Sequence, residues 1–274
     1  MNLTEVSRKN SEFWNELCGT SLAKSLGIMD ASKDSLKKFD DWYFDFYPYL
    51  SSHIPFHEIA GRDVLEIGLG YGTVSQRLAE AGARYTGLDI AEGPVAMANH
   101  RLSQAGLPGK ALQGSILSPT FSAESFDLIV AIGCLHHSGD LQLALKQCWK
   151  LLRSGGKLIF MVYHAYSYRR FLAAPGATIS TLSREMCGYR GVVGSSEARE
   201  RAAYDAGSNG DAAPHTDWIS IWSLRHLCNE FANFSAQLEN IGADAPFHRI
   251  PRAQILKTRW PHIIGLDVYA TATK

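Results

Sequence analysis

The sequence predicts an α/β protein built on a mostly parallel sheet with helices packed on both faces. Three observations predict it. Strand and helix patterns alternate with short connections from Gly61 to Tyr163. Two strand segments, Val64-Leu65-Glu66-Ile67 and Leu128-Ile129-Val130-Ala131-Ile132, are apolar almost without interruption. One of them runs straight into a turn with glycines at alternate positions, followed by a helix pattern. Alternation of this kind makes parallel sheets covered by helices, and strands apolar at every position are buried on both faces.

Taken in order, residues 1–60 concentrate aromatics and charges, among them Phe13, Trp14, Phe39, Trp42, Tyr43, Phe44, Phe46, Tyr47 and Tyr49. Phe39, Trp42, Tyr43 and Phe46 fall at helical spacing and Pro48 breaks the pattern, so this stretch is expected to form an N-terminal helical cap of one or two amphipathic helices. In residues 61–163, the core, strands are expected at 63–67, 84–89, 110–114, 126–132 and 157–163, with helices at 73–82, 93–105 and 140–152. Between 164 and 222 the alternation stops. Short helices around 167–174, 177–187 and 195–206 precede the polar loop 207–211, a stretch too long for a simple connection and expected to be a helical insertion on the substrate side. In residues 223–274, Ser223 is expected to cap a helix to about Phe231. Strands near 234–240 and 264–272 then finish the sheet as an antiparallel pair, for seven strands in all.

Lys plus Arg and Asp plus Glu both number 27, so no global field recruits nucleic acid or an anionic membrane. Five scattered cysteines (Cys18, Cys134, Cys148, Cys187, Cys228) with no C-x-x-C pair read as reduced thiols. No apolar run approaches the roughly 20 residues of a membrane span, and no signal-type segment follows Met1. A soluble, cytoplasmic protein is expected, with a homodimer left open.

The strongest signal is Val64-Leu65-Glu66-Ile67-Gly68-Leu69-Gly70-Tyr71-Gly72-Thr73. Glycines let the backbone approach a ligand, and the helix N-terminus offers unpaired N–H groups. Asp89, ending the second strand, can accept both hydroxyls of an adenosine ribose. A dinucleotide fingerprint needs a small residue where Thr73 stands. Glu66, two residues before the first glycine, would repel a pyrophosphate but suits the ammonium and sulfonium groups of S-adenosylmethionine (SAM).

With these residues in view, the stretch 61–163 resembles the class I SAM-dependent methyltransferases, specifically their small-molecule branch. The similar segments are Val64–Gly72, Gly87–Ile90, Ser125–Ile129, Leu135-His136-His137 and Leu151–Gly156. The resemblance implies a Rossmann-like sheet and a methyl transfer from SAM. It implies that Glu66 faces the methionine end, that Gly68, Gly70 and Gly72 pass beneath it, and that Asp89 binds the ribose. Ile90 is implied to pack on the adenine, Ser115 and Ile116 to sit at its amino edge, and Gly133 to join the cofactor set. One departure is Ser115, where the family usually carries an acid; as a neutral acceptor it makes a weaker contact.

In-line methyl transfer needs the nucleophile placed opposite the sulfur, and a base only where the acceptor is protonated at neutral pH. His137, ahead of His136, is the candidate base, just past the fourth strand. A metal site from His136, His137 and Asp140 is disfavoured because adjacent side chains diverge, and none is expected. Tyr163 and His164 are candidates to line the acceptor pocket, Arg169 or Arg170 to hold an anionic group, and Trp42, Tyr43 and Tyr47 to close it. The expected acceptor is a small molecule. RNA or protein is the alternative, since Arg169, Arg170, Arg184, Arg190, Arg199 and Arg201 outnumber the acids of residues 164–201. A SAM-binding protein without catalysis is the third reading.

Overall fold

The computed structural model describes residues 2–16, 20–194 and 197–274. Among its described residues the cap holds the α-helices α1 (Leu3–Phe13), α2 (Thr20–Ser25), α3 (Lys33–Phe46) and α4 (Leu50–His53). The core follows as β1 (Asp63–Ile67), α5 (Thr73–Glu80), β2 (Arg84–Asp89), α6 (Glu92–Ala105), β3 (Lys110–Gln113), β4 (Phe126–Ile132), α7 (Leu141–Leu151) and β5 (Leu152–His164). The insertion contains α8 (Tyr168–Ala173), α9 (Pro175–Met186), β6 (Val193–Gly194), α10 (Ala198–Ala202) and β7 (Asp217–Ile219). The chain ends with α11 (Ile221–Leu227), β8 (Asn233–Glu239), α12 (Arg252–Ile255), α13 (Pro261–Ile264) and β9 (Asp267–Thr273).

β3, β2, β1, β4 and β5 lie side by side and parallel. β9 adds antiparallel to β5, and β8 antiparallel to β9, as the terminal pattern predicts. Among the described residues the sheet has nine strands and not seven, because the insertion contributes β6 and β7. β7 meets β5 through Tyr163 and His164, beyond the point where β4 leaves β5, and pairs with β6 on its other side; strands this short carry no readable alternation. Ser195 and Ser196, within the helix expected at 195–206, and Cys18 lie outside the described residues.

The apolar runs are apolar because both faces are covered. Leu65, Ile129 and Phe160 point into a core with Leu141, Leu145 and Cys148 of α7. Val64, Leu128 and Ile159 point the other way, against Leu78 of α5, Leu102 of α6 and Leu50 of α4. Each such fully buried side chain contributes roughly 1.5–3 kcal/mol. Capping is local: Asp140 accepts from the Leu143 N–H at 2.8 Å to start α7. α11 starts earlier than expected and is capped by Ser220, whose hydroxyl oxygen accepts from the Ser223 N–H at 3.1 Å, so Ser223 lies inside the helix. Among the described residues no helix is long and apolar enough to cross a membrane, and Cys134, Cys148, Cys187 and Cys228 carry thiols.

Candidate active site

Strand β1 delivers the site. After the buried Glu66 and Ile67 the chain turns through Gly68 (φ 77°), Gly70 (φ 51°) and Gly72 (φ 76°). A Cβ at Gly68 would lie 2.4 Å from Cys134 Cβ, where the loop leaving β4 crosses the turn. Only glycine lets the two strand ends approach this closely. Gly72 has a packing role. It is not on the wall of the cavity; a Cβ there would lie 2.8 Å from Arg101 Cδ, so its smallness admits α6 against the start of α5.

Glu66 is buried with one oxygen doubly engaged. Its Oε2 accepts from Ser75 Oγ at 2.5 Å and from the Tyr85 hydroxyl at 2.6 Å. Burial pushes its pKa up to about 7, against the pull of the two hydroxyls. Neither of these partners is cationic, so a cation entering the cavity would meet a poorly compensated carboxylate. Asp89 ties the turn to β2, its Oδ2 accepting from the Leu69 N–H at 2.7 Å and its Oδ1 from the Ala91 N–H at 2.9 Å. Burial pushes its pKa up as well. A carboxylate oxygen can accept twice, which leaves acceptor capacity on the cavity wall.

These residues surround a cavity of about 330 Å³, within the range of small-ligand sites. The sheet side brings together Glu66, Gly68, Gly70, Asp89, Ile90, Ser115, Ile116 and Gly133 from the ends of four strands. That edge is where open parallel sheets hold ligands. The cap supplies the remaining wall through Asn10, Trp14, Leu22, Phe39, Trp42, Tyr43 and Tyr47, all neutral and mostly aromatic.

The cap is pinned over the turn. Arg101, fully buried, donates to Asp40 of α3 at 2.9 and 3.0 Å, and the Thr73 hydroxyl donates to the same carboxylate at 2.6 Å. Phe39 stacks on Tyr71 at 4.1 Å. From α1, Asn10 donates to the His137 carbonyl at 2.5 Å and Ser11 to the Ile90 carbonyl at 3.0 Å. Asn10, Trp14, Asp40 and Arg101 carried no individual signal in the sequence. Only the concentration of aromatics in residues 1–60 hinted at the wall.

Leu135, His136 and His137 form a 3-10 turn after β4. His136 lies behind the wall and not in it. It is fully buried, packs on the rings of His137 and Tyr163 at 4.1 and 4.2 Å, and burial holds its pKa well below the usual range. This corrects its placement at the ligand edge. His137 is on the wall beside Trp14, the ring centroids 4.9 Å apart. Its Nδ1 is 2.7 Å from the His215 carbonyl, which fixes the proton there. Its Nε2 faces Asp205 Oδ2 at 3.4 Å, and Asp205 Oδ1 accepts from the Tyr163 hydroxyl at 3.0 Å.

Tyr163 and His164 are off the cavity wall. The first is engaged by Asp205. The second is buried against the Gly265 carbonyl at 3.2 Å, with a pKa pushed down to about 4 by burial. Arg169 pairs with Asp244 at 3.0 Å, and Arg170 is buried with a nitrogen 2.9 Å from the Ala165 carbonyl. Neither faces the cavity. Arg190 and Arg201 donate to backbone carbonyls. Among the described residues no three His, Cys, Asp or Glu side chains cluster as a metal would require.

A mostly parallel sheet, a glycine turn beside a buried acid and a second acid ending β2 define the class I SAM-dependent methyltransferase architecture. The residues fit that cofactor: Glu66 matches an ammonium group, Asp89 retains acceptors for a ribose, and Gly68 and Gly70 leave the turn open. Residues 65–160 match the model of the methyltransferase domain family. A ubiquinone biosynthesis O-methyltransferase of Coxiella burnetii is 30% identical over 162 residues, covering 53% of this chain and 69% of that protein. One of Pseudomonas entomophila is 30% identical over 121 residues, covering 43% and 52%. SAM-dependent methyltransferases of Methanosarcina mazei and Mesorhizobium loti share the fold, with TM-scores of 0.53 and 0.51 at 18% and 17% identity. Each comparison spans 83% of this chain and 97% of the other. The chain belongs to the SAM-dependent methyltransferases, and SAM is its cofactor.

Proposed function

We propose that this methyltransferase acts on a hydroxyl of a small, flat, neutral acceptor, held by Trp14, Trp42, Tyr43 and Tyr47 of the cap. The observation that carries the reading is the composition of the wall. Every cap residue on the cavity is uncharged, and the two carboxylates on it, Glu66 and Asp89, belong to the sheet side. Aromatic faces stack on a planar acceptor, and no Lys or Arg on the wall would select an anion. Oxygen as the methylated atom is supported by the relatives' O-methyltransferase activity.

SAM supplies a methyl group on a sulfonium. The chain's task is to orient and to manage one proton. Glu66 would hold the ammonium, Asp89 the ribose, and Ile90, Ser115 and Ile116 the adenine, with Gly68, Gly70 and Gly133 admitting close contact. A hydroxyl must lose its proton as it attacks, and His137 is the one imidazole on the wall. With Nδ1 protonated against the His215 carbonyl, Nε2 is its basic nitrogen. Nε2 would take the acceptor's proton, and the Asp205 carboxylate beside it would stabilise the imidazolium so formed. His136, enclosed, supports the ring from behind.

The test is methyl transfer from radiolabelled SAM to a panel of phenols, aromatic amines and aromatic carboxylates. The expected outcome is turnover of phenols, with Trp42→Ala raising KM more than it lowers kcat. Turnover of amines or carboxylates with phenols inert would overturn the reading.

A further inference from the structure

Helix α9 is amphipathic the wrong way round. Its inward positions, Thr178, Thr181 and Glu185, are polar and buried, at 4%, 4% and 2% exposure. The threonine hydroxyls are satisfied within the helix. Thr178 donates to the Ala174 carbonyl at 2.9 Å and Thr181 to that of Ala177 at 2.8 Å. Glu185 accepts from Ser220 and Ser223. The outward stripe is apolar: Ile179, Leu182 and Met186 are 54%, 42% and 74% exposed. Phe171 and Leu172 of α8 extend it, at 48% and 58%. A helix face packed on its own core shows the opposite pattern, and a contiguous exposed apolar patch marks an interaction surface.

The patch continues into the C-terminal segment, since Pro246 and Ile264 line one groove with Phe171, Leu172, Ile179 and Leu182. That segment has one sign of charge. From Ala245 to Leu266 there are Arg249, Arg252, Lys257 and Arg259 and no Asp or Glu, in a chain whose total charge is zero. Arg249, Lys257 and Arg259 are exposed, as is Arg184 on α9. The neighbouring acids are engaged, Glu185 inside the fold, Asp244 on Arg169, and Glu239 buried beside His53 and His262. Trp260 precedes α13 and Ile263 lies within it, 52% and 58% exposed.

We infer that α8, α9 and the 245–264 segment dock this enzyme on the surface of an anionic phospholipid bilayer. Apolar side chains enter the headgroup boundary and Arg184, Arg249, Lys257 and Arg259 meet lipid phosphates, the combination that holds interfacial helices on membranes. No helix spans; the face lies on the bilayer. A second copy of the chain fits less well, because a self-facing patch would bring its cations together. The inference uses no residue of the cavity and stands apart from the identity of the acceptor.

The test is flotation of the full-length protein with vesicles of phosphatidylcholine alone or with 30% phosphatidylglycerol, about that fraction sufficing for surface charge to act. Binding to the anionic vesicles is expected, falling about tenfold or more in 0.5 M salt. Leu172→Ser with Ile179→Ser should lower it by a similar factor, as should Arg249→Glu with Lys257→Glu, with SAM affinity by calorimetry unchanged in both. Retained SAM affinity shows that the variants are folded. Equal absence of binding to both vesicle types overturns the inference. So does a dimer by light scattering that Leu172→Ser with Ile179→Ser converts to monomer while vesicle binding is absent.

Discussion

The two sides of the cavity are made differently. The sheet side is backbone geometry: strand ends in fixed register, left-handed glycines and two acids bonded within twenty-odd residues of the turn. The cap side is side chains from α1, α2 and α3, brought over the turn by Asp40, Asn10 and Ser11. The first arrangement is local and rigid, suited to a cofactor that never changes. The second depends on a few long-range contacts, and can vary with the acceptor while the fold is kept. Predictions that separate the two sides are therefore the useful ones.

The largest effect is expected at Gly68. In Gly68→Ala the new Cβ meets Cys134 Cβ at 2.4 Å in a backbone with φ 77°. Overpacking and strain together cost about 2–4 kcal/mol, so SAM affinity should fall about 30-fold to about 1,000-fold. Gly61, with φ 70° and nothing within 4 Å, is the control. Gly61→Ala should cost about 1–2 kcal/mol of stability from its conformation alone and leave SAM affinity as it was. Equal effects in calorimetry at both positions would show that the turn is not the close-approach site.

On the acceptor side, His137→Gln should lower kcat about 100-fold, a typical general-base contribution. It should leave SAM affinity unchanged, because the ring bonds His215 and Asp205 and no cofactor-side residue. A pre-steady-state burst of product that survives at the wild-type rate would remove His137 from the chemistry.

The same contrast explains what was legible in the sequence. Strands β1 and β4 could be read because near-continuous apolar runs match burial on both faces, and Glu66 and Asp89 because each stands at or next to the end of its strand. The packing role of Gly72 was not legible because a glycine for a ligand and a glycine for a neighbouring helix leave the same letter; Arg101 at 2.8 Å reveals the second. His136 and His137 are adjacent, but one faces the cavity and the other the core, a difference set by the 3-10 turn after β4. Asp40, Asn10 and Asp205 act across 61, 127 and 68 positions of chain, respectively, and no periodicity records such partners. β6 and β7 escaped for a related reason, being held by pairing and not by pattern.

A pH titration gives a middle-sized effect. Folded Glu66 keeps its proton to about pH 7, against an ordinary value of 4.5. Between these values the native state binds the extra proton. Its contribution to stability is thus complete below about pH 4.5 and is lost as pH rises through 7. An ammonium favours the ionised form, so SAM affinity should move the other way, rising about tenfold from roughly pH 5.5 to 7 with release of a proton. Glu66→Gln should flatten that profile and bind more weakly at pH 7. A wild-type affinity independent of pH, measured by calorimetry in two buffers of different ionisation enthalpy, would argue that Glu66 does not face the ammonium.

The smallest effect is expected at Ser115, the one position where the sheet side departs from the family's habit of an acid. Ser115 is on the cavity wall, and its hydroxyl oxygen accepts from the Leu117 N–H at 3.2 Å. Partly occupied in that bond, it offers the adenine amino group a neutral acceptor worth about 1 kcal/mol, so Ser115→Ala should weaken SAM only about threefold to fivefold. Ser115→Asp should tighten it by a similar factor, since a charged acceptor makes roughly twice the contact. Opposite signs in the two variants would place the adenine edge at Ser115 even though each change is small. Two losses of equal size would show instead that the residue only shapes the turn after β3.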